Sequence, residues 1–304
     1  MTIEIKKSCR NVFAAALRTK AMRVLLLPMI LLRQRWGAWR SGPVRRVAEN
    51  MVSALVEDPV IRVRGYPGQF AVGRTSDILR RIVIFGTYEP ELVGVCKANV
   101  DAARDAIDVG ANIGLYSVLL TTLCRGRVLA IEPTPAALVR LRRNLLMNGV
   151  EGRVVVFPGA AGAGATELDI RTVTGREEYS TGGQQLHPSA VGSEFVTVSV
   201  QAQTVDSLVK EHNLDPGFIK IDVEGMEHTV LAGMRSTLEK HRPVILAELN
   251  DPMLRMNGSS SMEIIGYLRS LGYTLSDPLA EWRAPGDRSY GDLLCVPAVG
   301  RSGA

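Results

Sequence analysis

Residues 106 to 132 constrain this chain more than any other stretch. Ala106-Ile-Asp-Val is an apolar run that carries Asp108. A turn with Gly110 and Gly114 follows, then an apolar helical pattern, then a second apolar run, Val128-Leu-Ala-Ile, that closes on Glu132. Strand, tight loop, helix, strand is the mononucleotide-binding half of a doubly wound α/β sheet. Glycines let a backbone approach a ligand closely. A carboxylate at the tip of the second strand is placed to accept hydrogen bonds from ribose hydroxyls. The pattern points to an adenosine-containing cofactor.

The loop spacing argues against a nicotinamide dinucleotide. Such a site favours G-x-G-x-x-G, with the pyrophosphate seated on a helix N-terminus. Here the pattern is Asp-x-Gly-x-x-x-Gly, with Asn112 where a glycine would stand. The acid at Asp108 repels a pyrophosphate and suits a cationic ligand with an amino-acid group. S-adenosylmethionine, with its sulfonium, ammonium and ribose, is such a ligand. The alternative is a structural strand-to-helix turn that holds nothing.

Further along lies Phe218-Ile-Lys-Ile-Asp-Val-Glu-Gly-Met-Glu-His228, then Val230-Leu-Ala-Gly-Met234 and Pro243-Val-Ile-Leu-Ala-Glu-Leu-Asn250. With Gly86-Thr-Tyr-Glu-Pro-Glu91 upstream, this series resembles the FkbM family of S-adenosylmethionine-dependent methyltransferases over roughly residues 70 to 255. Glu178-Tyr-Ser180 followed by His187-Pro188 resembles another family segment, with Thr181 where a second serine is usual. The resemblance implies a class I methyltransferase fold and methylation of hydroxyl oxygens on sugars and polyketide-type products. It also implies that Tyr88, Glu89 and Ser117 contact the methionyl end of the cofactor; for Tyr88 a place in the core is the alternative. Residues 1 to 50 have no counterpart in the family.

Asp108, Glu132, Asp222 and Glu248 each lie at the end of an apolar strand, which places all four around one crevice. A carboxylate that only caps a loop or helix is the alternative for each. The third strand ends instead at Pro158-Gly-Ala-Ala161, where Ala160 and its small neighbours let the backbone reach an adenine ring. The expected cofactor set is therefore Tyr88, Glu89, Asp108, Gly110, Asn112, Gly114, Ser117, Glu132, Ala160 and Asp222. A sulfonium carries an already activated methyl group, so the protein must align an acceptor oxygen and take its proton. His187, Asp222 and Glu224 are the candidate catalytic residues. His187 has a suitable ordinary pKa and sits in a long Gly-, Ser- and Thr-rich loop from Thr172 to Glu194. His228 lies further along a helix and is expected to pack.

Three other functions remain open to such a sequence. A magnesium-dependent catechol-type O-methyltransferase would use Asp222, Glu248 and Asn250 as oxygen ligands; the family resemblance needs no metal. A nucleic-acid methyltransferase would need a stacking aromatic after an Asn/Asp-Pro motif, and Asn250-Asp-Pro-Met253 lacks it. A non-catalytic cofactor-binding module, recruited by its N-terminal arm, is the third.

Charge is concentrated at the N-terminus. Residues 1–50 hold 11 Lys/Arg and 2 Glu, a net of +9, against +5 for the whole chain, so the remainder carries −4. A mildly acidic body is not built to follow a phosphate backbone, and no nucleic-acid partner is expected. Ala21-Met-Arg-Val-Leu-Leu-Leu-Pro-Met-Ile-Leu-Leu32 is too short to cross a bilayer. A basic, leucine-rich helix beside Trp36 and Trp39 suits an anionic membrane surface; packing on protein is the alternative. Cys9, Cys96, Cys124 and Cys295 show neither metal-ligand nor disulfide spacing. The expected location is the cytoplasm, free or peripheral at the inner face of the membrane. The expected partner is a small-molecule or glycan hydroxyl acceptor, and the oligomeric state stays open. The fold expected is a Rossmann-like α/β class I methyltransferase domain over residues 51–304, mostly parallel with a C-terminal antiparallel hairpin, preceded by a basic helical arm over 1–50.

Periodicity predicts the elements. Gln69 to Asp77 and Arg81 to Phe85 read as short strands, and Pro135 to Met147 as a helix with proline in its first turn. Phe218 to Val223 and Pro243 to Leu249 read as buried parallel strands, joined by one helix from Met226 to Lys240. Thr204 is expected to cap a helix through His212.

Overall fold

A computed structural model describes residues 58–174, 179–182, 194–279 and 290–298. The predicted arm over residues 1–50 lies outside the described residues. The chain divides into two compact units, Met1–Pro90 and Glu91–Ala304.

In the first unit, β1 (Val60–Ile61) pairs antiparallel with β2 (Phe70–Ala71). The strand expected from Arg81 to Phe85 is instead part of helix α1 (Asp77–Phe85). Its β-branched residues suggest a strand, but the buried positions Ile78, Leu79, Ile82 and Val83 recur with helical spacing. Ser76 caps the start by accepting from the Ile78 N–H, and Gly86 closes the end in the left-handed conformation.

The second unit holds the main sheet. Helix α2 (Pro90–Asn99) straddles the division and leads to β3 (Asp105–Val109), α3 (Leu115–Leu123), β4 (Val128–Ile131), α4 (Pro135–Met147) and β5 (Val154–Phe157). Three strands, β6 (Ala160–Ala161), β7 (Thr166–Val173) and β8 (Phe195–Gln203), form a separate small sheet in the order β6-β8-β7. The chain returns through α5 (Val205–Glu211), β9 (Pro216–Ile221), α6 (Glu227–Ala232), α7 (Arg235–His241) and β10 (Val244–Asn250). It finishes with α8 (Asp251–Met256), α9 (Ser261–Ser270), β11 (Tyr273–Ser276) and β12 (Tyr290–Pro297).

The main sheet has seven strands in the order β11-β12-β10-β9-β3-β4-β5. The pairings among β10, β9, β3, β4 and β5 are parallel, and β12 runs antiparallel to both neighbours. This is the doubly wound, mostly parallel α/β sheet with a C-terminal antiparallel hairpin that the sequence led us to expect. Connections from β3 run outward to β4 and β5 on one side, while β9 lies on the other. The order therefore reverses between β3 and β9, where such sheets bind ligands.

The core forms because the central strands are buried on both faces and mostly apolar. Ile107, Val109, Leu129, Ile131, Ile219 and Ile221 pack with residues of α5, α6, α7 and α9. Thr204 caps α5 as expected, its hydroxyl accepting from the Ser207 N–H at 3.1 Å. The helix expected from Met226 to Lys240 is broken in two. A side chain at Gly233 would come within 1.9 Å of the Gly162 carbonyl oxygen. The carboxylate of Asp206 accepts from the Ser236 and Thr237 N–H groups at 3.0 and 2.7 Å, which caps the new N-terminus. Cys96, Cys124 and Cys295 are free and buried, as small apolar residues would be. Among the described residues no helix is long and apolar enough to cross a membrane.

Candidate active site

The carboxyl ends of four neighbouring strands are joined by backbone hydrogen bonds. The Asp222 N–H donates to the Val109 carbonyl at 3.0 Å, and the Gly110 and Ala111 N–H groups both donate to Ile131 at 3.0 Å. The Glu132 N–H donates to Phe157 at 3.2 Å. Two loops thus sit side by side at the switch point: one after β3, from Gly110 to Gly114, and one after β9, from Asp222 to Met226.

The first loop turns through three left-handed residues, Gly110 (φ 81°), Asn112 (φ 48°) and Gly114 (φ 86°). The glycines were expected to make room for a ligand. Their closest demands are internal: a side chain at Gly110 would lie 1.8 Å from the Asp222 carbonyl oxygen, and one at Gly114 2.6 Å from Leu141 Cδ1. Glycine here lets the two loops, and the loop and α4, come together. Glu132 holds the turn. Its carboxylate accepts from the Asn112 N–H and the Thr134 N–H, both at 2.8 Å, and from the Thr134 hydroxyl. Burial pushes its pKa up, and these donors oppose the shift. Expected to face ribose, Glu132 is first of all the residue that shapes the loop.

Asp108 is fully buried. Its Oδ2 accepts from the Ser117 hydroxyl at 2.6 Å, while Oδ1 has no hydrogen-bond partner. Desolvation raises its pKa; Lys220 and Ser117 act in the opposite direction. Ser117, expected at the methionyl end of a cofactor, is thus turned to Asp108 and also fully buried. At this burial Asp108 has no exposed surface, and its charge is felt at the loop only through its field.

The second loop is more open. Asp222 accepts from Lys220 Nζ at 2.9 Å, and its side chain remains 27% exposed. Glu224, partly exposed, has φ 52° and is followed by Gly225 at φ 92°. Glu227 ties this loop as Glu132 ties the first: its Oε1 accepts from the Gly225 N–H at 3.1 Å and the Val223 N–H at 3.4 Å. Its Oε2 is buried without a partner. Burial pushes the Glu227 pKa up to about 7, against these backbone donors and with a further push from Asp222. The Tyr179–Gly182 segment stands beside this loop. Thr181 exchanges two backbone hydrogen bonds with Arg171, at 2.9 and 3.0 Å, and its hydroxyl lies 3.5 Å from the Glu224 carbonyl.

Sequence reasoning missed Lys220 and Glu227. A lysine inside the apolar run Phe218-Ile-Lys-Ile was a visible signal, because an unneutralised lysine in a buried strand is costly. Glu227 was hidden among three acids within six residues.

The other expected residues fall as follows. Ala160 lies in β6, where it pairs with Ala202. Glu248 lies on β10 opposite Asp292 of β12. Asn250, the third oxygen ligand of the magnesium alternative, caps α8 by accepting from the Met253 N–H at 3.3 Å. Among the described residues no group of three or more His, Cys, Asp or Glu side chains is disposed to hold a metal. Tyr88 and Glu89 belong to the first unit, where both meet Arg81. Its guanidinium is 5.8 Å from the Tyr88 ring centre and 3.6 Å from Glu89. His187 lies outside the described residues. His228, expected to pack, is partly buried with its Nε2 3.1 Å from the Thr229 hydroxyl.

The donor set fits a cationic ligand: a half-open carboxylate at Asp222 and a buried one at Asp108 with an unused oxygen. Two similar proteins of named activity are methyltransferases. Hexuronic acid methyltransferase AglP of Haloferax volcanii is 27% identical over 215 residues, covering 69% of this chain and 78% of that protein. The 31-O-demethyl-FK506 methyltransferase FkbM of Streptomyces tacrolimicus is 26% identical over 198 residues, covering 57% and 74%. Among solved structures, methyltransferase FkbM from Methylobacillus flagellatus KT aligns at 16% identity with a TM-score of 0.43, covering 84% of this chain and 60% of that one. The methyltransferase FkbM domain model matches residues 108–275, more than half of the chain and including both loops. The chain is a methyltransferase and belongs to the FkbM family.

Proposed function

We propose that the chain transfers a methyl group from S-adenosylmethionine to a hydroxyl oxygen of a sugar, with a polyketide-type hydroxyl as the alternative acceptor. The observation that carries this reading is the pair of loops at the β3–β9 switch point, which brings the Asp108 and Asp222 carboxylates to one place. The similar proteins named for a hexuronic acid and for FK506 support an oxygen acceptor of this class.

When bound, the cofactor supplies a methyl group already activated by a positive sulfonium. Asp222 and Asp108 provide the negative field that favours that charge. Glu132 holds Asn112 and the first turn in place, and Glu227 does the same for the turn at Glu224. The remaining task is to orient the acceptor hydroxyl and accept its proton. His187, Asp222 and Glu224 are the proposed groups, with His187 as the base.

The test is methyl transfer from labelled S-adenosylmethionine to hexuronic-acid glycans and to macrolide hydroxyls, with the product mapped by mass spectrometry. His187→Ala should lower the transfer rate by roughly 10²–10⁴-fold, the scale of general-base catalysis, with cofactor affinity unchanged. Normal turnover in that variant, with collapse in Glu224→Ala, would move the proton to Glu224. Wild-type protein that methylates neither acceptor class would refute the substrate reading.

A further inference from the structure

Lys220 is the least explained residue of the second unit. It stands on β9 among Phe218, Ile219 and Ile221, and it is 5% exposed. Its ammonium is 2.9 Å from Asp222 Oδ2 and 4.5 Å from the centre of the Tyr116 ring. Its register partner on β3 is Asp108, so both side chains leave the sheet on the same face. Tyr116 and Ser117 of α3 cover that face, one over Lys220 and the other on Asp108. The register partner on the far side, Leu246 of β10, is apolar.

A buried ion pair is weak support for stability, because well-packed apolar residues of similar volume usually do as well or better. An isoleucine or leucine at 220 would continue the strand. The cation therefore needs a reason beyond folding, and its position supplies one. It lies near the end of β9, just before the loop that carries Asp222, and its register partner is Asp108, one of whose oxygens is unused.

We propose that Lys220 is the positioning residue of the cofactor site: its ammonium aims Asp222 and, with Asp108 beside it, sets the charge that the methyl donor meets. This rests on the S-adenosylmethionine reading. Lys220 acts through the two carboxylates and not by touching the donor. One cation beside two carboxylates offsets part of their negative charge, and the donor they meet carries one net positive charge. Without the cation the carboxylates repel each other, which disfavours the charged form of Asp108 further. The charged and titratable groups facing Lys220 include Asp108 from β3, Asp222 from its own loop and Tyr116 from α3. Its attraction opposes the upward shift that burial imposes on Asp108.

The experiment is calorimetric titration of S-adenosylmethionine into the full chain from acid to neutral pH. The proteins are wild type, Lys220→Met, Lys220→Arg, Asp222→Asn and the Lys220→Met/Asp222→Asn double variant. Lys220→Met should weaken binding by about 10- to 100-fold, the scale of a lost charged hydrogen bond. The pH below which affinity falls should move up, because Asp108 then loses the attraction that opposes its upward shift. Lys220→Arg should keep the wild-type acid limb. The double variant should bind no worse than Asp222→Asn alone, as expected of residues that act as one unit.

A Lys220→Met protein that binds like wild type with the same acid limb would overturn the inference. So would losses that simply multiply in the double variant. Should Lys220→Met fail to fold, Lys220→Arg decides: an acid limb displaced as far as that of Asp222→Asn would overturn it. Wild-type protein that does not bind S-adenosylmethionine removes the cofactor reading and this inference together. Wild-type binding with an indifferent Lys220→Met removes only the inference.

Discussion

The loops after β3 and β9 are built alike and finished differently. Each contains a non-glycine residue in the left-handed conformation, Asn112 in one and Glu224 in the other, next to left-handed glycines. Each is tied by one buried carboxylate accepting loop N–H groups: Glu132 for the first and Glu227 for the second. The carboxylate that ties the first loop is saturated, since both oxygens of Glu132 have donors, while Asp108 behind it is fully buried with Oδ1 unpartnered. In the second, one oxygen of Glu227 is unpartnered, and Asp222, Val223 and Glu224 are all partly exposed. The same device thus yields one loop whose carboxylates are buried and one that presents Asp222 and Glu224 partly to solvent.

The comparison breaks most visibly at Gly110, where the loops touch. Gly110→Ala would place a methyl group 1.8 Å from the Asp222 carbonyl oxygen and force a side chain onto φ 81°. The expected cost is roughly 3 kcal/mol or more, from strain and overpacking together. Thermal unfolding reads it, and cofactor affinity should fall with it because both loops move. An unchanged melting temperature would mean that the loops are not packed as described.

The two buried carboxylates sharpen the contrast. Glu132→Ala leaves the Asn112 and Thr134 N–H groups without acceptors and should cost about 1–3 kcal/mol of stability. Equal stability of variant and wild type in urea titration would show the first loop to be less saturated than its hydrogen bonds imply. Glu227 predicts a dependence on pH instead. Its pKa is raised from 4.5 to about 7 in the folded chain. Between those values the unfolded state has released its proton while the folded state keeps it. Folding stability contributed by this group is therefore full below pH 4.5 and is lost as pH rises toward 7, at up to about 1.4 kcal/mol per pH unit. Glu227→Gln, which cannot ionise, should flatten that slope; an identical slope in the variant would assign the titration elsewhere.

The sheet was legible from sequence because its strands are buried on both faces and read as continuous apolar runs. Helix α4 was legible because Pro135 and the Asn148-Gly149 stop bracket it. Helix α1 was misread because Ile82-Val-Ile84 has strand propensity and only the cap at Ser76 declares a helix. The break at Gly233 was invisible because its cause, the Gly162 carbonyl, is 71 positions away in the chain. At the site, position along the strands marked Asp108, Glu132 and Asp222, since strand ends are local features. The duties of Lys220 and Glu227 depend on what the second loop folds against, which sequence spacing does not carry.

The central proposal is that these two loops together form the cofactor crevice. Amide hydrogen exchange of the full chain, with and without saturating S-adenosylhomocysteine, tests it most directly. The account predicts slowed exchange in residues 110–114 and 222–227, with the larger change in the second loop, which starts the more open of the two. Protection confined to other segments, or a ligand-bound chain in which neither loop changes, would contradict it.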